Sequence, residues 1–282
     1  MKRLIYFLLI ATALGFCCTV ATAESQRLHY KMAPGQTWVT VMSTQNEFTF
    51  MGNKDVSRNK ITFEYRVSKG PKSGWVSLTG KITSMSSDEG GEQMDMSKLS
   101  FFAEMHSSGV LRNISYEGSI LPPMEAEAGE MSPEFATMYE GFTEMIAEAW
   151  VNSVFWFPEL PDYALEIGDD FEVTQNFQIG SEAGGVEVKT VSKQVYTLED
   201  LSEGLAYFTV KERAVTKSSA AMGGESDTKT AGKGEAIFDL REGMWLELTT
   251  KSLSRVEFEN MPGVGDESQD MLQITKVRMS KK

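Results

Sequence analysis

Short segments in which apolar and polar residues alternate recur along most of this chain, and they constrain its fold more than any other feature. An extended strand points successive side chains to opposite faces, so alternation leaves one face of a sheet buried and the other in water. We expect separate strands at residues 38–41, 47–50, 61–67, 74–78, 193–198, 204–208, 243–246 and 272–277. Residues 85–97 and 216–234 are rich in Gly, Ser and charge, which indicates long hairpin tips. We therefore predict a mainly β protein with a curved antiparallel sheet or an open barrel.

The two halves of the chain repeat one order of glycine turns and strand segments. The matching glycines are Gly35, Gly74 and Gly109 in the first half and Gly168, Gly204 and Gly243 in the second. The first two glycines of each half are 39 and 36 residues apart, respectively. This repetition predicts a single domain, residues 24–282, made of two related β units at about 28–120 and 163–258.

One amphipathic helix is predicted between the two units, over residues 132–152. Ser132 is a good N-cap, Pro133 suits the first helical position, and Glu134 is favoured there by the helix dipole. Apolar residues follow at three- and four-residue steps and form one stripe, while Glu140, Glu144 and Glu148 lie on another face. We expect this helix to cover the sheet with its apolar stripe.

The apolar side of this helix is the predicted ligand site. A groove beneath the helix would be lined by Phe135, Met138, Phe142 and Met145, with Trp150, Phe155 and Trp156 at its rim. Its occupant would be a lipid, an apolar peptide or another envelope protein. The alternative is that these residues simply form the core. The leading functional hypothesis is therefore non-catalytic binding of an apolar ligand or a partner protein.

The charge of the chain is concentrated in its middle. Between Arg112 and Lys189 there is no Lys or Arg, whereas 16 Asp and Glu residues occur there. A field of one sign repels nucleic acids and anionic lipid headgroups, so we expect no nucleic-acid partner. The same segment could attract a basic partner or divalent cations, or it could simply be a solvated acidic face that keeps the protein soluble. An alternative function is therefore a structural or assembly protein that docks through this acidic segment and through exposed edge strands.

The first 23 residues have the pattern of an export signal. Lys2 and Arg3 precede an apolar run, and residues 21–23 (Ala-Thr-Ala) fit a signal-peptidase site. The run is too short for a spanning helix, and no later segment is apolar enough to cross a bilayer. We expect a periplasmic or secreted protein, and lipid anchoring at Cys17 is disfavoured because Phe16 precedes it. Removing Lys2 and Arg3 from the 27 basic residues leaves 25 against 40 acidic ones, a net charge of −15.

Residue patterns for catalysis and for metal binding are weak. The two histidines, His29 and His106, have no spacing that joins them, and no nucleophile elbow is present, so we expect no catalytic residue and no cofactor. An enzyme acting on polymers would instead need carboxylates that converge in a cleft. Residues 88–95 lack the order of a calcium loop, and we expect no metal site. Met94 and Met96 support only a minor alternative, copper handling by thioether ligands.

Three stretches resemble a broad set of exported bacterial β-rich proteins of unknown function. They are residues 28–38 (LHYKMAPGQTW), residues 157–171, which include FPELP and IGDDF, and residues 238–243 (FDLREG). The resemblance implies a β protein of the cell envelope and transfers no catalytic residue. The arrangement is also similar, at the level of the fold, to periplasmic lipoprotein carriers, whose curved sheet is covered by helices over an apolar cavity.

Overall fold

The described part of the chain forms one antiparallel sheet of eleven strands. The computed structural model describes residues 25–50, 53–88, 99–118, 154–181, 186–220, 224–259 and 268–282. The strands are β1 (Thr37–Phe50), β2 (Asn53–Lys69), β3 (Trp75–Ser87), β4 (Ser100–His106), β5 (Leu111–Glu117), β6 (Asp170–Ser181), β7 (Val186–Ser202), β8 (Leu205–Ala220), β9 (Glu225–Asp239), β10 (Met244–Glu259) and β11 (Ser268–Lys281).

The strand order shows that the first and last strands of the described sheet meet in its middle. It is β5-β4-β3-β2-β1-β11-β10-β9-β8-β7-β6, so two meanders run outwards from the central pair β1 and β11. This pair spans nearly the whole length of both strands, from Trp38 opposite Lys281 to Thr49 opposite Asp270. In the described sheet, β5 and β6 are therefore the two edges, and the sheet is not closed.

The core lies on the inward face of the sheet, at the end where tight turns join the strands. Inward-facing aromatic residues of many strands meet there, including Phe63, Tyr65, Phe101, Tyr196, Phe208, Phe238 and Trp245. Two non-strand segments, residues 25–36 and 154–168, cover this end. They are anchored to the turns by backbone hydrogen bonds, from Tyr30 N to Ser107 O (2.7 Å) and from Leu160 N to Ser108 O (2.7 Å).

Irregularities in the ladders mark where the sheet departs from a flat arrangement. The pairing shifts register between β2 and β3, β4 and β5, β7 and β8, and β9 and β10. Each bulge adds one residue to one strand and increases the local twist and bend. In β9, a Cβ atom at Gly234 would lie 2.2 Å from the carbonyl oxygen of Thr249 on β10, so only glycine permits this close approach. These features produce the predicted curvature.

The structure confirms the mainly β fold and changes several strand boundaries. Residues 38–41 and 47–50 belong to one strand, β1, and not to two. The long tip predicted at 216–234 is wrong, because β8 continues to Ala220 and β9 begins at Glu225. Several Ser and Thr residues of this segment face inward and bond across strands, as Ser218 does to Ser226 (2.6 Å between the two Oγ atoms). The local Gly, Ser and charge content therefore did not indicate a loop.

The helix predicted over residues 132–152 lies outside the described residues. All six glycines of the predicted repeat have positive φ: Gly35, Gly74, Gly109, Gly168, Gly204 and Gly243. The relation between the two β units stays a prediction.

Candidate functional site

Most of the predicted groove lies outside the described part of the chain. This applies to Phe135, Met138, Phe142, Met145 and Trp150, and equally to Met94 and Met96 of the copper alternative. The two remaining groove residues pack on the core. Phe155 is 4% exposed, with its ring centroid 6.1 Å from that of Tyr65. Trp156 is half-buried and its ring lies 6.5 Å from that of Trp245. The groove itself stays a prediction.

Beyond the core, the inward face of the sheet becomes polar. One row crosses it from strand to strand, because Gln194 pairs with Glu212, Ser252 pairs with Gln273, and Gln273 pairs with Asn46. The Gln273 Nε2 atom donates to the Asn46 Oδ1 atom over 3.0 Å. Ser252 donates to Glu212 over 2.8 Å, although β9 lies between them. Hydroxyl and amide groups thus satisfy each other on a surface that differs from the lining of a lipid cavity.

The contact between Glu212 and Ser252 depends on a glycine in the intervening strand. Gly232 of β9 pairs with both residues. A Cβ atom there would lie 2.3 Å from the Oγ atom of Ser252 and 3.2 Å from an Oε atom of Glu212. Any side chain at this position would separate the two partners, so the glycine is needed for this polar row.

The two histidines have different environments. His106 ends β4, and its Nδ1 atom lies 2.9 Å from the Ser108 hydroxyl of the following turn. The same nitrogen accepts the backbone N–H of Ser108 (3.3 Å), so the imidazole caps the turn. His29 is exposed in the segment that precedes β1. Among the described residues, no three His, Cys, Asp or Glu side chains form a group able to hold a metal ion.

The structural feature with the strongest functional potential is a cleft between the two edges of the sheet, which we call the edge cleft. Its volume is about 670 Å³. One wall is the β4–β5 turn with the start of β5, and the other is β6 from Phe171 to Gln175. Residues 157–163 complete the lining. A cavity of this size is in the range that binds small molecules or a few residues of a peptide.

The described acidic residues of the middle segment contribute strongly to this cleft. Glu159, Asp162 and Glu172 line it, and no Lys or Arg does. Lys193 on the neighbouring strand β7 donates a hydrogen bond to Glu172 over 3.0 Å and holds the pKa of that carboxyl below its usual value. A general acid in a glycosidase needs a raised pKa, so this shift has the opposite sign. The described lining of the cleft is therefore anionic.

Apolar side chains are exposed around the same cleft. Val110 and Tyr163 line it and are 37% and 49% exposed, respectively. Ile114 of the edge strand β5 is 42% exposed, and Ile167, just before β6, is 56% exposed. These four are half of the eight large apolar residues that are exposed in the described structure. Two of them, Val110 and Tyr163, line the cleft itself, and their exposed apolar surface indicates a contact surface.

The two edges that flank the cleft differ in how open they are. β5 has seven residues and contains a bulge, where Asn113 has a φ of 51°. A bulge in an edge strand interrupts the row of hydrogen-bonding groups and hinders the addition of another strand. β6 has twelve residues, with no proline, no lysine and no register shift in its pairing with β7. β6 is therefore the longer and more regular of the two edges of the described sheet.

Part of this site could have been found from the sequence. The absence of basic residues between Arg112 and Lys189 identified an acidic surface, and the glycine turns bounded the strands that form it. Tyr163, Val110 and the edge position of β6 were missed. No local pattern distinguishes an edge strand from a central one when strands distant in sequence pair at the centre of the sheet.

Comparisons with known proteins do not assign this chain to a family. It matches no protein-family model, and no curated protein matches it. Among solved structures, a mutant of Rh. blastica porin aligns with 86% of this chain and 100% of its own, at 8% identity and a TM-score of 0.29. Ail, the attachment invasion locus protein of Yersinia pestis, aligns with 88% of this chain and 100% of its own, at 6% identity and a TM-score of 0.20.

These likenesses are too low to support an argument about fold or function. Within the described residues, the chain contains no helix with the length and apolar character needed to span a membrane. The described residues form a mainly β fold with one curved, unclosed antiparallel sheet of eleven strands.

Proposed function

We propose that this chain is a non-catalytic binding protein of the cell envelope that holds an extended segment of a partner protein in the edge cleft. The observation on which this rests is the cleft of about 670 Å³ between the edges of an unclosed sheet. The export pattern of residues 1–23 supports the location in the envelope. The proposal unites two hypotheses from the sequence, capture of an apolar peptide and docking through the acidic segment.

Strand addition to β6 is the binding mode that fits the cleft. The side of β6 opposite β7 has no strand partner among the described residues, although the Asp170 carbonyl at its start accepts a hydrogen bond from the Tyr163 hydroxyl. An incoming segment would pair with backbone N–H and C=O groups beyond Asp170. Each backbone hydrogen bond formed this way contributes a net ~0.5–1.5 kcal/mol. Side chains on alternate positions of the segment would enter the cleft and provide specificity.

The lining of the cleft defines the chemistry of the segment. Glu159 and Asp162 favour basic side chains, while Val110 and Tyr163 favour apolar ones; Glu172 is already paired with Lys193. A segment with alternating apolar and basic residues meets both requirements. A purely apolar lipid would leave the carboxylates uncompensated, and the polar row on the inward face offers it no better surface.

Site-specific photo-crosslinking in the producing cells tests this proposal. A benzophenone amino acid at position 163 replaces Tyr163, an exposed residue of the cleft. The same amino acid at position 253 is the matched control, because Leu253 is 54% exposed on the outward face of β10, outside the cleft. We expect a discrete crosslinked product from position 163 and none from position 253. Mass spectrometry of the product should identify a peptide with alternating apolar and basic residues.

A charge reversal distinguishes recognition from chance contact. Glu159→Lys should weaken the crosslink at position 163. Glu235→Lys, on the outward face of β9, should leave the crosslink unchanged. The two variants are matched, because both glutamates are exposed and both substitutions change the net charge equally. Equal crosslinking at positions 163 and 253, or equal effects of the two reversals, would refute the proposal. The intact mass of the purified protein reports in the same sample whether the chain is cleaved after Ala23.

A further inference from the structure

A second pocket, separate from the edge cleft, brings basic side chains together on this acidic protein. It lies on the outward face of the central strands β1, β2 and β11 and at the end of β3, and its volume is about 510 Å³. We call it the basic pocket. Its charged lining residues are Arg58, Lys60, Lys276 and Asp88, three cations against one carboxylate.

The register of the sheet places the two lysines of the basic pocket on either side of a serine. Ser43 of β1 pairs with Lys60 of β2 on one side and with Lys276 of β11 on the other. Lys60 pairs in turn with Ser86 of β3. Directly paired residues have Cβ atoms about 5 Å apart, so the row Ser86, Lys60, Ser43 and Lys276 alternates hydroxyl-bearing and ammonium-bearing side chains whose Cβ atoms have about that spacing.

The three cations differ in how far they are already neutralised. Lys60 is exposed and has no ion pair among the described residues. Lys276 contacts Glu247 at 3.0 Å, but Glu247 also contacts Arg278 at 3.0 Å, so one carboxylate serves two cations. Arg58 is paired with Asp88 at 3.3 Å and donates to Gln45 over 3.1 Å, which orients its guanidinium. The pocket therefore retains positive charge.

We propose that the basic pocket binds a phosphate-bearing ligand through Lys60, with Lys276 and Arg58 as flanking contacts. A phosphate group has several charged oxygens and accepts hydrogen bonds from ammonium, guanidinium and hydroxyl donors together, as this row presents them. The pocket is larger than one phosphate and falls in the range of small-molecule sites. The ligand is either a soluble phosphorylated molecule or the headgroup of an anionic phospholipid.

Binding of two probes, pyrophosphate in solution and vesicles of phosphatidylglycerol, tests the site and distinguishes these sources. Isothermal titration calorimetry should detect pyrophosphate binding that weakens with added salt. Lys60→Gln should reduce the affinity about tenfold or more, about 1.4 kcal/mol. Lys233→Gln is the matched control, because Lys233 is an exposed lysine on β9 that lies outside the pocket and has no ion pair among the described residues.

Each outcome has a defined meaning. Binding of pyrophosphate that depends on Lys60 supports a soluble ligand. Binding only to phosphatidylglycerol vesicles, again dependent on Lys60 and absent with phosphatidylcholine, supports a headgroup. Binding to neither probe, or equal losses in Lys60→Gln and Lys233→Gln, would overturn the proposal. Because both lysines are exposed, unchanged thermal unfolding of the two variants should show that neither substitution disturbs the fold.

Discussion

The indole Nε1 of Trp245 donates a hydrogen bond to the hydroxyl of Tyr30 over 3.0 Å, although the two residues are 215 positions apart in the sequence. The same hydroxyl donates to the carbonyl oxygen of Pro158 over 2.9 Å. One buried phenol thus joins β10, the segment before β1 and the segment that lines the edge cleft. This junction fixes how both covering segments lie on the core.

Removing this hydroxyl should be costly. Tyr30→Phe leaves the Trp245 N–H and the Pro158 carbonyl without a partner inside the core, where each unsatisfied group costs ~1–3 kcal/mol. We expect a lower urea midpoint with an unchanged slope. Tyr163→Phe is the control, since its hydroxyl also donates to a backbone carbonyl, that of Asp170 (3.0 Å), but is exposed. Equal losses in the two variants would contradict the role of burial.

Two glycines with similar φ should respond differently to alanine. Gly35 has a φ of 91° with open space around it, and Gly109 has a φ of 93° with Pro158 O 2.7 Å from the position of a Cβ atom. Gly35→Ala should cost only the left-handed backbone strain, ~1–2 kcal/mol. Gly109→Ala should add a steric term of ~1–3 kcal/mol, because the covering segment must move. Chemical denaturation measures the stability of both variants. Equal midpoints would contradict the steric term, because they would show that residues 154–168 move away from an alanine at position 109 without cost.

The buried phenols should make the fold sensitive to alkali. Burial raises the pKa of Tyr30, Tyr65 and Tyr196 well above the ordinary value for tyrosine. Their contribution to stability is complete below the unfolded pKa of about 10 and falls as pH rises above it, because the unfolded chain then releases protons that the native chain retains. Phenolate absorbance of these residues should appear together with the loss of circular dichroism. Full titration of all tyrosines in a folded chain would refute this.

The bulge in the edge strand β5 should keep this edge from pairing with another copy of the chain. Asn113 adopts a φ of 51°, a conformation that Asn and Gly tolerate and β-branched residues do not. Asn113→Gly should change the free energy of unfolding by less than ~0.5 kcal/mol. Asn113→Val should either destabilise the fold by ~1–2 kcal/mol or remove the bulge, so that β5 becomes a regular strand. A flat edge pairs more easily with another chain. Size-exclusion chromatography should therefore show dimers or aggregates for Asn113→Val only, and monomeric behaviour of both variants would count against this role.

Residues 61–67 and the six glycines show how far local patterns determined the fold. Alternation at 61–67 predicted a strand with one buried face, and Phe63, Tyr65 and Val67 are all buried. The glycines marked turns that need positive φ, and all six have it. The sequence failed at 216–234, where inward-facing Ser and Thr bond across strands, because the pattern of a polar inward face resembles that of a loop.

The sequence by itself determined that this chain forms amphipathic strands with glycine turns, because the period of two and the need for positive φ are local properties of the backbone. Only the tertiary structure decided which strands became neighbours. The pairing of β1 with β11 placed Lys60 and Lys276 on either side of Ser43, and it left β5 and β6 as the edges that flank the cleft. These relationships join residues more than 200 positions apart in some cases, such as Ser43 and Lys276. They follow from long-range pairing and burial, which no local pattern encodes.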